Sequence, residues 1–172
     1  VSINYKKFYK MAKSSLVLIF TFLLNQILNA AEIYGTPKII DGDTVHINSK
    51  KIRLEGIDAP EIKQKCKKPF LKISLFIGFE FNKNYSCGVI SKEKLIDKIN
   101  NSKIKCISSS KDRYKRYLAT CYKDKINLNK WMVRNGYAVA YKRYSIDYVR
   151  DEEYAEENRL GMWEGTFIKP EK

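Results

Sequence analysis

Histidine is nearly missing from this chain: His46 is the only one in 172 residues, and it lies inside a segment of alternating apolar and polar residues. Mechanisms that need one imidazole as acid and another as base are therefore excluded, and zinc held by histidines is disfavoured. His46 itself reads as a solvent-facing strand residue. Four cysteines occur, but no two are spaced Cys-x-x-Cys, which argues against a four-cysteine zinc site. Neither a Gly-x-Ser-x-Gly elbow nor a glycine-rich phosphate loop is present. No internal repeat or low-complexity linker divides the chain, and its length suits one domain with a real core. The apolar run 16–24 falls short of the ~20 residues that a membrane span wants.

Acids are scarce as well, 19 against 33 Lys and Arg, for a net charge of +14. Five of them (Asp41, Asp43, Glu55, Asp58 and Glu61) nonetheless crowd into residues 39–61. A hard divalent cation held by carboxylate and carbonyl oxygens is one reason for such crowding. Val45 and Ile47 alternate with His46 and Asn48, and Ile52 and Leu54 with Arg53 and Glu55, the pattern of two half-buried strands. Asn48-Ser49-Lys50 supplies turn chemistry between them. Pairing these strands brings the Asp43 end near the Asp58 end. Pro60 keeps Ala59 extended, which leaves its carbonyl available to a ligand.

Residues 1–31 read as an export signal: Lys6, Lys7, Lys10 and Lys13, then the apolar run, then small Ala30 and Ala31. An uncleaved amino-terminal membrane anchor is the alternative. That segment holds four lysines and no acid, so residues 32–172 keep 29 basic and 19 acidic residues. Such a balance suits a polyanion such as nucleic acid, although it also fits an anionic surface.

Strands are expected at 32–40 (broken near Gly35 and Pro37), 44–48, 51–57, 103–108 and 117–123. Helices are expected at 86–101, with Val89, Ile90, Leu95, Ile96 and Ile99 at largely helical spacing, at 127–135 before Gly136, and at 147–160 before Gly161. Trp163 follows as an anchor. Residues 62–86 form an insertion whose apolar side chains alternate over 71–81; packing of this edge against the barrel is the preferred reading, an exposed flap the other. Five short strands with three helices make an α+β domain of OB type, a five-stranded β-barrel that commonly binds nucleic-acid chains.

Three motifs in order are specific: Asp41-Gly42-Asp43-Thr44-Val45, then Arg53-Leu54 to Gly56-Ile57-Asp58-Ala59-Pro60-Glu61, then Asp112-Arg113-Tyr114-Lys115-Arg116-Tyr117-Leu118-Ala119. Together they resemble the thermonuclease (staphylococcal-nuclease-like) family over residues 39–163. The resemblance implies the same OB-type fold and a calcium-dependent endonuclease acting on DNA and RNA. By it, Asp43 and Asp58 would bind Ca2+ through side chains and Ala59 through its carbonyl. Arg53 and Arg116 would clamp the phosphate, and Glu61 would activate or orient water. Arg113 and Tyr114 would touch the nucleotide, with Tyr144 as a further aromatic wall. Two departures stand out. Ala59 replaces the family's Thr, and Lys115 replaces the Gly before the second arginine, where a positive φ would strain a Lys by ~1 kcal/mol or more.

Cys106 and Cys121 fall on strands that neighbour each other in the resembled fold, and Cys66 and Cys87 bracket the insertion. The preferred pairing is Cys66–Cys87 with Cys106–Cys121, one of three connectivities. The expected partners are DNA and RNA, with no stable protein partner and a monomeric chain; a membrane enters only if the amino-terminal segment is retained. The rival function is an OB module that binds nucleic acid without cutting it.

Overall fold

The computed structural model describes residues 30–73 and 79–169, with side chains described outside 71–80. The expected export segment therefore lies, up to residue 29, outside the described residues. The chain opens on β1 (Ala31–Gly35), and after a break at Thr36 and Pro37 continues as β2 (Lys38–Ile39). A hairpin follows, β3 (Thr44–Ile47) and β4 (Lys50–Leu54). Its two-residue turn has Asn48 and Ser49 both at positive φ, a conformation that matches the twist of the flanking strands. Next come β5 (Ile57–Asp58), the insertion strands β6 (Cys66–Ile73) and β7 (Phe79–Tyr85), and α1 (Cys87–Ile99). The remainder is β8 (Ile104–Lys111), β9 (Tyr117–Lys123), β10 (Ile126–Asn127), α2 (Leu128–Arg134), β11 (Val139–Ala140), α3 (Val149–Glu157) and a 3-10 turn at Gly161–Glu164.

The main sheet runs β1-β8-β9-β4-β3-β2, with β10 added on β9. Its first and last members are the two halves of one broken strand, so the sheet curls back on itself. Only the β4–β9 pair is parallel in that path; β1–β8, β8–β9, β3–β4 and β2–β3 are antiparallel. This is the expected OB-type α+β architecture with three helices. The inward side chains of β3 and β4 (Val45, Ile47, Ile52, Leu54) meet Leu95 and Ile99 of α1 and Leu128, Met132 and Val133 of α2 in one core.

Two expectations need correction. The buried face of α1 is Cys87, Ser91, Leu95 and Ile99, at strict i, i+4 spacing, whereas Val89 and Ile96 are exposed. The insertion is a hairpin rather than one alternating edge: β6 and β7 pair with each other in a sheet of their own. Of the alternating side chains expected to pack, Phe81 is exposed, as is the neighbouring Phe70; the others, within 71–80, lie outside the residues whose side chains are described. The root of the hairpin is tied in by Lys67 and Thr166 exchanging backbone hydrogen bonds of 2.9 Å.

Both disulfides pair as expected, Cys66–Cys87 and Cys106–Cys121. Cys106 and Cys121 are direct partners across β8 and β9 and are fully buried. The bond closes a loop 15 residues long. A Cys106→Ala/Cys121→Ala variant is expected to lose about 3 kcal/mol of unfolding free energy in urea titration; an unchanged midpoint would show that sheet register alone holds these strands.

Candidate active site

The turn before β3 is built to bury one carboxylate. The Asp43 N–H donates to Asp41 Oδ1 at 3.0 Å and the Ile40 N–H to the Thr44 carbonyl at 2.9 Å, which folds Asp41-Gly42-Asp43 tightly. Gly42 is required there by close approach: a Cβ would lie 2.0 Å from Ser91 Oγ of α1 and 2.7 Å from the Ala59 Cβ. Asp43 is thereby pressed inward, 3% exposed. Its Oδ1 accepts from Thr44 Oγ1 at 2.9 Å and from Arg53 Nη1, and its Oδ2 accepts from the Ala59 N–H at 2.8 Å.

Arg53 of β4 joins this acid to the second one, since its Nη2 donates to Asp58 Oδ1 at 2.6 Å. Thr44 and Arg53 are register partners, so the hairpin itself sets the arginine beside the acidic turn. Burial pushes the Asp43 carboxyl up to about 7, against the pull of Arg53. Burial also raises Asp58, and the charge on Glu61 adds to that rise. Burial would lower the pKa of Arg53, but Asp43 and Asp58 together hold it above its usual value. Two desolvated carboxylates therefore share one guanidinium.

Glu61 is exposed, just past Pro60, and its carbonyl accepts from the Gln64 N–H at 2.8 Å. A Cβ on Gly88 would lie 1.8 Å from that carbonyl oxygen, so the first turn of α1 rests on the Glu61 backbone. Arg116 stands at the mouth of β9, two residues before Leu118, the register partner of Arg53. Its Nε donates to Asp112 Oδ2 at 2.7 Å and its N–H to Asp112 Oδ1 at 2.9 Å. Arg113 and Tyr114 are exposed on the same turn, the guanidinium carbon 4.8 Å from the ring centre. Tyr144 is exposed on the turn after β11, edge-on to Tyr141 at 4.8 Å. That turn is anchored near the acids, since Val139 pairs with Asp58 and the Tyr141 N–H donates to the Gly56 carbonyl at 2.9 Å.

Among the described residues no group of three or more His, Cys, Asp or Glu side chains is gathered to hold a metal. The site offers two carboxylates, Asp43 and Asp58, and both are hard oxygen donors with lone pairs beyond those that Arg53 occupies. This donor set fits a weakly held hard cation and fits no soft one.

Residues 51–165 match the family model of staphylococcal nuclease homologues. The chain belongs to that family. Among its relatives, an uncharacterized endonuclease of Haemophilus influenzae is 34% identical over 161 residues, covering 90% of this chain and 78% of the relative. An uncharacterized endonuclease of Escherichia coli O157:H7 is 29% identical over 150 residues, covering 83% and 84%. The succinoglycan biosynthesis protein ExoI of Rhizobium meliloti is 30% identical over 145 residues, covering 82% and 70%. Asp43 precedes the segment matched by the staphylococcal nuclease model; geometry, through Arg53, brings it into the site.

Where the staphylococcal nuclease pattern has Gly, Lys115 adopts φ 63°, the left-handed conformation that disfavours a Cβ. Asp112 gathers the turn and fixes Arg116 on it, accepting the Tyr114 N–H at 2.9 Å besides the two bonds from Arg116. In the sequence Asp112 signals only an aspartate opening a tight turn, which assigns it no role in the site. Burial alone would raise its pKa, but the hydrogen bonds and charge of Arg116 and the Tyr114 N–H hold it below the usual range. A carboxylate depressed on folding stabilises above its unfolded value and loses that contribution as pH falls through its folded value. The stability advantage of the wild type over Asp112→Asn is therefore expected to fade as pH drops below about 4, read by urea unfolding across pH. Lys115→Gly is expected to raise stability by up to about 1 kcal/mol; a loss in the same assay would show that Lys115 makes a compensating contact.

Proposed function

We propose that the protein is an exported, calcium-dependent endonuclease, acting as a monomer, that hydrolyses phosphodiester bonds of DNA and RNA with little base specificity. The observation that carries this reading is the bridge Asp43–Arg53–Asp58. A protein that only held nucleic acid would have no use for an arginine locked between two buried acids. Family membership and the endonuclease names of two relatives support it. The two disulfides and the signal-like segment 1–31 support export.

Asp43 and Asp58, with the Ala59 carbonyl, would hold Ca2+, which supplies charge neutralisation at the phosphate and a place for water. Arg53, held through Nη1 and Nη2 by the two acids, would give its remaining N–H groups to a non-bridging phosphate oxygen. Arg116, fixed by Asp112, provides the second permanent cation for the charge that develops as the phosphoryl group is attacked. Glu61 accepts the proton of the attacking water. Arg113 and Tyr114 take the neighbouring phosphate and sugar or base, and Tyr144 forms a further wall. None of these groups reads a base edge, so little sequence preference is expected.

Single-stranded DNA incubated with the protein and calcium is expected to shorten, and a chelator to stop the reaction. Arg53→Ala, Glu61→Ala and Arg116→Ala are each expected to lower kcat about 100- to 1,000-fold. An intact, retarded band in calcium would replace the enzyme with a binding module, and full activity in Glu61→Ala would remove that residue as the base.

A further inference from the structure

The hairpin of β6 and β7 has no part in the chemistry above. Its register sets Lys68 opposite Lys83 and Cys66 opposite Tyr85. Opposed residues of an antiparallel pair share a face, as do residues two apart on one strand. One face therefore carries Phe81, Lys83, Lys68 and Tyr85, rings interleaved with cations. Lys68 Nζ lies 5.7 Å from the centre of the Tyr85 ring, in keeping with that shared face. Phe81, Lys68 and Lys83 are exposed and Tyr85 is half-buried. Beside the root a hollow of about 190 Å3 opens toward α1, with Lys68, Lys94, Tyr85 and Tyr137 in its wall and Glu164 as its one acid.

We propose that this face is a second grip on single-stranded nucleic acid, with bases stacked on Phe81 and Tyr85 and phosphates against Lys68 and Lys83. The inference rests on the nuclease reading and extends it. Stacking platforms alternating with cations suit single strands, because every base has a π-face and every linkage a charge. The root of the hairpin adjoins the candidate active site. β6 starts five residues after Glu61, β7 leads through Ser86 into α1, and Gly88 of α1 touches the Glu61 carbonyl. The Cys66–Cys87 bond fastens both strands at that root. The eight residues of β6 reach ~25 Å from it, so a strand lying on the hairpin leads toward Glu61. A second copy of this chain is a poorer occupant, since it would oppose Lys68 and Lys83 to like charges.

The test is fluorescence anisotropy of the full chain with labelled oligothymidine of about 4 and about 20 nucleotides, within and beyond one binding site, in chelator so that nothing is cut. Phe81→Ala is expected to weaken binding of the long strand about tenfold and leave the short one unchanged. Lys68→Ala/Lys83→Ala is expected to lower the slope of log affinity against log salt by about 1.4. Unchanged affinity for the long strand in both variants would overturn the proposal, and so would equal weakening of both lengths, which would mean a disturbed centre. So would DNA affinity that survives while binding to phosphatidylserine vesicles is lost, which would make the face a membrane contact. No cleavage enters this readout, so a protein that binds as stated but fails to digest DNA with calcium would sink the nuclease reading alone.

Discussion

Everything in the candidate centre depends on one guanidinium shared by two buried acids. Arg53 is reached from Asp43 across a hairpin and from Asp58 at the end of β5, and both carboxyl pKa values are raised by burial that a single cation only partly offsets. Burying charge in this way is a poor route to stability, because desolvation consumes most of the attraction. The arrangement makes sense as preorganisation. Charges fixed before substrate arrives need no rearrangement when charge develops on a phosphate. The backbone serves the same end, with the Ala59 N–H aimed at Asp43 Oδ2 and Gly42 kept free of a Cβ so that the acidic turn can close on α1.

Helix α1 links this centre to the insertion. Its second residue, Gly88, rests on the Glu61 carbonyl, its fifth, Ser91, crowds Gly42, and Ser91 Oγ donates to the Tyr137 carbonyl at 2.7 Å. Its first residue, Cys87, is bonded to Cys66. One face of one helix thus touches the acidic turn, the loop that carries Glu61 and the root of the hairpin. Leu95 and Ile99, further along that face, are buried in the barrel core and give the helix its footing.

The strand pattern of residues 39–61 was legible because period-2 alternation, turn residues and the split at Pro37 all pointed the same way. The first two motifs set Asp43, Arg53 and Asp58 near one another, since a hairpin leaves little freedom in where its ends meet. The preferred disulfide pairing rested on the family resemblance, which sets the strands of Cys106 and Cys121 side by side, and on Cys66 and Cys87 bracketing the insertion. The inward face of α1 was less legible. Ser91 and Cys87 line it while Val89 and Ile96 face out, because close backbone approach and a disulfide outrank hydrophobicity there. Nor did the alternation over 71–81 reveal a hairpin, since period 2 reports strand character without saying where the chain reverses. Lys115 was flagged correctly as a strained position, but Asp112, which restrains it, looked like any turn aspartate.

Helix α3 shows the same limit from another side. Two of its charged residues, Asp151 and Glu152, are buried in the first turn. Asp151 accepts from Arg134 Nη1 of α2 at 3.0 Å, and Glu152 Oε2 pairs with Lys142 Nζ at 2.8 Å. These partners lie outside the helix, so no pattern within its sequence announces them. Lys142 belongs to the turn that carries Tyr141 and Tyr144, and Glu152 therefore holds that turn to the body of the domain while β11 holds it to Asp58. The turn that carries Tyr141 and Tyr144 is thus fixed to the acids through a buried ion pair on one side and a two-residue ladder on the other. The positions of Tyr141 and Tyr144 follow from packing on α3 and β5 rather than from anything in their own turn.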